Sequence, residues 1–100
     1  MFTVDLDADS YGLAVRVVRA RIERGLYTTV TDRAWHVLQD AVHDGPPWRL
    51  SMEREEAETL CEWFEKAFDV VNALGNMWPD ADSILEAALR GTRAISAAIP

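Results

Sequence analysis

One hundred residues, 49% hydrophobic and 27% charged, describe a globular chain of one domain rather than a disordered segment. A net charge of −7 and a pI near 4.6 argue against a free-standing nucleic-acid binder, which must neutralise phosphates, and favour a protein partner that is itself basic. No run approaches the ~18 apolar residues of a membrane span, no signal peptide follows Met1, and the lone Cys61 permits no intrachain disulfide, so a cytoplasmic protein without a membrane partner is expected.

Residues 2 to 6, Phe-Thr-Val-Asp-Leu, alternate apolar and polar with the period of a half-buried strand, so Phe2, Val4 and Leu6 should face the core. Asp7 or Asp9 then caps a helix running to about Arg24. Its apolar positions are Tyr11, Ala14, Val15, Val18 and Ile22, and Gly25 stands where a C-terminal glycine stops a helix. Residues 26 to 30, Leu-Tyr-Thr-Thr-Val, are β-prone and read as a short third strand or an extended linker. Thr31 is a good N-cap for the second helix, with Val30 and Trp35 spaced as a hydrophobic staple. That helix should bury Ala34, Trp35, Leu38, Ala41 and Val42 and stop at Gly45-Pro46-Pro47.

Residues 48 to 74 are the organising stretch. Trp48 to Met52 repeats the N-terminal alternation, and a long helix follows to near Gly75. Ala57, Leu60, Cys61, Phe64, Ala67, Phe68 and Val71 make a continuous apolar stripe, which Trp63, Val70 and Leu74 widen to about half the circumference. The opposite face carries Glu55, Glu58, Glu62, Glu65 and Asp69, with no Lys or Arg inside it and only Lys66 beside it. Met77 and Trp78 then sit in an apolar loop. Asp80 or Asp82 caps a last helix burying Ala81, Ile84, Leu85, Ala88, Ile95 and Ile99, with Ala87, Gly91, Ala94 and Ala98 along one side for close packing in the fold or across a dimer.

A shift of 46 residues lays Phe2, Val4 and Leu6 on Trp48, Leu50 and Met52, and the first helix on the third. The expected fold is therefore α+β and predominantly α-helical, with four helices, two short strands and the outline of a duplicated β-α-α unit (1–45 and 46–100). The shift also sets opposite charges on equivalent faces. Arg16, Arg19, Arg21 and Arg24 stand against Glu23 alone in residues 10–24, a local charge of +3, whereas residues 53–71 carry −5.

Catalytic and metal chemistry find little support. Asp5, Asp7 and Asp9 open like a calcium loop, but Ser10 and Arg16 stand where its glycine and bidentate glutamate belong. His36 and His43 lie two helical turns apart, about 10 Å, too far for one metal, and His36 with Asp40 is at most half a site. No phosphate loop or nucleophile elbow occurs. No cofactor, no metal and no enzymatic activity are expected.

The acidic face is the informative feature. Glu58 with Glu62, and Glu65 with Asp69, are like-charge pairs costing about a few tenths of a kcal/mol each, a cost that a helix shaped only for stability would avoid with interspersed lysines. The reading is a small acidic interaction module or inhibitor. It would use Glu55, Glu58, Glu62, Glu65 and Asp69, with Met77 and Trp78, to occupy a basic surface of a nucleic-acid-handling protein. Phage-encoded inhibitors such as anti-CRISPR proteins share this size and acidity, an analogy of class and not of sequence. The alternative is a self-assembling, dimeric structural or regulatory protein that pairs its basic and acidic helix faces.

Overall fold

The chain begins as a strand because its side chains alternate, and that strand needs a partner from the middle of the chain. In the computed structural model, which describes residues 1–26, 28–42 and 47–100 and only the backbone of residue 76, β1 (Phe2–Leu6) pairs antiparallel with β2 (Trp48–Met52). The register sets Phe2 opposite Met52, Val4 opposite Leu50 and Leu6 opposite Trp48. Val4, Leu6, Leu50 and Met52 are buried, while Asp5 and Arg49 face each other on the wet side with Arg49 Nε 3.0 Å from Asp5 Oδ1. Two strands alone are marginal in water, so stability has to come from the helices packed on their apolar face.

Helix α1 (Ala8–Glu23) starts where Asp7, in extended conformation, accepts the Ser10 amide on its carboxylate at 2.8 Å. It ends in a complete Schellman motif. Gly25 takes φ 76°, its amide bonds Ile22 O, and the Leu26 amide bonds Arg21 O. The turn brings the chain back at once into α2 (Thr29–Gln39), capped by Thr28, whose Oγ1 accepts the Thr31 amide at 3.2 Å. This corrects two sequence expectations and decides a third point left open. Thr31 is not the cap but a buried residue inside the first turn, its hydroxyl donating to Leu26 O at 3.1 Å. Val30 therefore lies within the helix and forms no staple, and the described residues of 26–30 hold no third strand (Tyr27 lies outside them).

Helix α2 also stops early, at Gln39 with Asp40 as its C-cap, before the Gly-Pro-Pro expected to end it (Gly45 and Pro46 lie outside the described residues). Val42, expected in the core, is exposed. Its backbone exchanges hydrogen bonds with Arg49, N to O 2.9 Å and 3.1 Å, forming a one-residue bridge on β2. A helical Val42 could not supply that extended bridge.

Helix α3 (Arg54–Ala73) is followed by a 3-10 turn, Gly75–Met77, and by α4 (Ala81–Ala98). Asp80 stands at the N-cap of α4 but makes no capping bond; its carboxylate instead meets Arg16 at 3.5 Å. The small-residue side of α4 is used inside the fold. Gly91 lies against the Phe64 ring of α3, and the Ala87 carbonyl accepts the buried Ser10 hydroxyl of α1 at 2.9 Å. Arg90 ties the same helices together, its Nε 2.9 Å from Asp7 and its NH2 3.4 Å from Asp9. The core is one cluster built from β1, β2 and all four helices. Tyr11 closes its edge, stacking on Trp48 at 4.1 Å and donating its hydroxyl to Leu38 O at 2.6 Å.

The fold is α+β and predominantly helical, with four helices and two antiparallel strands among the described residues. The 46-residue shift carries β1 onto β2 and the first residue of α1 onto that of α3, and Val4 and Leu50, paired at the sheet centre, are equivalents under it. The second helices differ, 11 residues against 18.

Candidate protein-interaction surface

The burial of α3 decides where its acids point. Ala57, Leu60, Trp63, Phe64 and Val71 are buried, Cys61, Ala67 and Phe68 partly so, and the helical period then turns Glu55, Glu58, Glu62, Glu65 and Asp69 to solvent. All five are exposed. Lys66 is not the only cation beside the row, however. Arg33 of α2 reaches Glu55 at 3.0 Å, Arg54 one turn earlier reaches Glu58 at 2.9 Å, and Lys66 meets Glu62 at 3.0 Å. These pairs are exposed and contribute little to stability, but they neutralise the formal charge of the first part of the row. Glu65 and Asp69 make no ion pair among the described residues.

Val70 and Leu74 correct a second expectation. They were read as widening the buried stripe, yet they are 50% and 47% exposed. Val71 takes the inward position at this level, and a helix turns about 100° per residue, so Val70 and, one turn on, Leu74 share an outward side. The 3-10 turn follows directly, its Met77 amide bonded to Leu74 O at 2.9 Å. Met77 is 77% and Trp78 36% exposed. The end of α3 thus presents two unpaired carboxylates with four large apolar side chains.

Glu56 is the acid that sequence reasoning missed. It is buried, and its Oε2 has no hydrogen-bond partner among the described residues. The signal was legible, because 56, 60, 63 and 67 follow the i, i+4, i+7, i+11 spacing of the core side.

The metal and nucleophile candidates come apart on inspection. His36 Nδ1 lies 2.8 Å from Asp32 O and 3.5 Å from its carboxylate, so its close partner is Asp32 and not the expected Asp40 (His43 lies outside the described residues). The Asp32 carbonyl and carboxylate raise its pKa above the ordinary 6.5. Asp5, Asp7 and Asp9 are held by Arg49 and Arg90. No group of three or more His, Cys, Asp or Glu able to hold a metal occurs among the described residues. Cys61 sits half-buried, its Sγ 4.0 Å from Thr92 O and 3.9 Å from Ser96 Oγ. Burial pushes its thiol up, with Glu65 and Glu58 adding to the shift, which is the reverse of what an activated nucleophile needs.

No protein-family model, no curated protein and no solved structure matches this chain. No helix among the described residues is long and apolar enough to cross a membrane.

Proposed function

We propose that this chain is a non-enzymatic protein-interaction module of the inhibitor class, acting in the cytoplasm on a partner with a basic surface. The observation that carries the reading is the end of α3. Glu65 and Asp69 are exposed and unpaired among the described residues, beside the exposed Val70, Leu74, Met77 and Trp78. Apolar anchors supply affinity when desolvated, while rim charges steer and orient the encounter. A basic groove that normally holds nucleic acid has the complementary chemistry, and phage-encoded inhibitors of the anti-CRISPR kind are one class that works this way. The lone, half-buried thiol supports a reducing compartment.

The structure shifts the weight of the proposed surface. Glu55, Glu58 and Glu62 already hold cations, so the decisive substitutions are Glu65→Lys with Asp69→Lys, and Trp78→Ala. Tagged chain in host lysate should retain a basic partner at low salt and release it at high salt, because exposed charges are screened within about 8–10 Å at ordinary ionic strength. Both variants should lose that partner while keeping the native circular dichroism. Retention of the same partner by both variants would sink the proposal.

Self-assembly through the faces of α1 and α3 is the second reading, favoured by Arg19 and Arg24, which meet no carboxylate among the described residues. It is weakened by Arg16 and Arg21, which are engaged within the chain by Asp80 and Trp63. A monomer by light scattering at micromolar concentration and low salt would exclude it.

A further inference from the structure

Between α1 and α3 lies an open groove of about 340 Å³ whose walls are largely apolar. Leu13 and Val17 come from α1, Trp63 and Val70 from α3, and Leu26 and Trp78 complete the lining. Leu26 is held there by the Schellman turn, its amide on Arg21 O, and Trp78 by the 3-10 turn, its amide on Gly75 O. The size falls within the range of about 300–1,000 Å³ usual for small-ligand pockets.

The charge around this groove runs against the charge of the molecule. In a chain of net charge −7 with ten Lys and Arg in all, Arg16, Arg21, Arg24 and Lys66 all border it. Asp80 holds Arg16 and Glu62 holds Lys66. Arg21 and Arg24 meet no carboxylate among the described residues; Arg21 instead lies over the Trp63 ring at 4.3 Å from its centroid. A guanidinium stacked on an indole keeps its N–H edge available, and that fork matches a carboxylate in two parallel hydrogen bonds.

From the apolar walls and two guanidiniums that meet no carboxylate among the described residues we infer that the α1–α3 groove binds a free, single-chain carboxylate of medium length, with the chain against Val70 and Trp78 and the headgroup at Arg21 and Arg24. Three features favour this occupant over a bare anion or a neutral lipid. A bare anion would leave Trp78 and Val70 wet. A neutral chain would leave the guanidiniums without a partner. A volume this small suits one chain, not a two-chain lipid.

The test is calorimetric titration of the whole chain with decanoate below its micellar range, alongside intrinsic tryptophan fluorescence, since Trp63 and Trp78 line the groove. Saturable binding at one site is expected. Affinity should fall about fourfold for each methylene removed towards octanoate. Arg24→Glu should weaken decanoate about tenfold or more, because it reverses a charge close to the headgroup. Decanol, bound weakly, should be unaffected by Arg24→Glu, which shows that the groove still forms in the variant. Arg19→Ala, an arginine of the same helix outside the groove, should change nothing.

The inference is overturned by an absence of saturable binding below millimolar decanoate, by decanol binding as tightly as decanoate, or by Arg24→Glu binding as the parent does. Two further results would assign the groove to another occupant and equally overturn it. One is a dimer that Arg24→Glu dissociates and decanoate does not. The other is adsorption to phosphatidylglycerol vesicles with which free decanoate fails to compete. Trp78 belongs to both surfaces, so the charge variants tell the two readings apart: Glu65→Lys with Asp69→Lys should leave decanoate affinity unchanged, and Arg24→Glu should leave the protein partner bound.

Discussion

Gly91→Ala sets two effects of known size against each other at one atom. An alanine in the interior of a helix is worth about 1 kcal/mol over glycine, so at an open position the substitution would stabilise α4 by that amount. Gly91 is not open. A Cβ built there lies 2.8 Å from Phe64 Cε2, 3.0 Å from Cζ and 3.3 Å from Cδ2, where carbon atoms prefer about 3.5–4.0 Å. The Phe64 ring cannot swing away, because the residue is 1% exposed and stands at the centre of the core. Overpacking of this kind costs about 1–3 kcal/mol, so the net expectation is destabilisation by about 1 kcal/mol. In a chain this long that lowers Tm by about 4–8 °C. Urea unfolding followed by far-UV circular dichroism measures it, and the same substitution in a Phe64→Leu background identifies the contact. With the ring gone the overpacking cost should disappear and the substitution should stabilise by about 1 kcal/mol, giving a coupling of about 2 kcal/mol between the two positions. Stabilisation by Gly91→Ala in the parent chain, or an equal cost in both backgrounds, would refute the close approach of α3 and α4 through Phe64.

Asp7→Ala removes the cap on the Ser10 amide and the partner of Arg90, and should cost about 1–2 kcal/mol at neutral pH by urea unfolding. Partial burial raises the Asp7 carboxyl, but the Ser10 amide and Arg90 outweigh it and hold the group below its ordinary 3.8. Its contribution is thus present above that unfolded value and is lost as pH falls through the folded one, so parent and variant should converge in acid. His36, raised by the Asp32 carbonyl and carboxylate, should titrate above 6.5 by NMR and move down in Asp32→Asn; its small stabilising effect is complete below 6.5 and fades as pH rises through the folded value. Cys61 should be alkylated by iodoacetamide more slowly in the native chain than in urea at mildly alkaline pH, since burial and Glu58 and Glu65 disfavour the thiolate. Equal rates in the two states would contradict the half-buried placement.

Local patterns carried the elements well where one physical signal was uncontested. The alternation in Phe2–Leu6 and Trp48–Met52, the cap at Asp7 and the stop at Gly25 all reappear, because each depends on a few neighbouring residues. Thr31 looked like the cap of α2, and the sequence could not show that the Schellman turn returns the chain soon enough for Thr28 to serve. Val70 and Leu74 are apolar residues at periodic positions, yet whether a periodic position is covered depends on which helix lies over it, and Val42 lies past the end of α2 altogether. The pairing of Arg33 with Glu55 and of Arg16 with Asp80 joins residues far apart in sequence, so no spacing rule could anticipate it. The groove was illegible for the same reason. Its two walls come from helices whose apolar residues each look like ordinary core.

Placing the charges on the fold changes what the sequence dipole means. Among the described residues six of the ten cations, Arg16, Arg33, Arg49, Arg54, Lys66 and Arg90, are paired with carboxylates. Of the cations without such a pair among the described residues, Arg19, Arg21 and Arg24 all belong to the second half of α1. The unpaired acids of the α3 row, Glu65 and Asp69, lie on the second half of that helix. Helix α3 therefore has a basic groove along one flank and an acidic edge along another, with Val70 and Trp78 close to both. A single partner bridging both edges would have to present opposite charges within a few ångströms, and each edge would then depend on the other. Two separate ligands make the edges independent. Reversal of Glu65 and Asp69 should then release the protein partner and leave decanoate affinity unchanged, while Arg24→Glu should do the converse. Loss of both activities in either variant would mean one bipolar partner spanning α3.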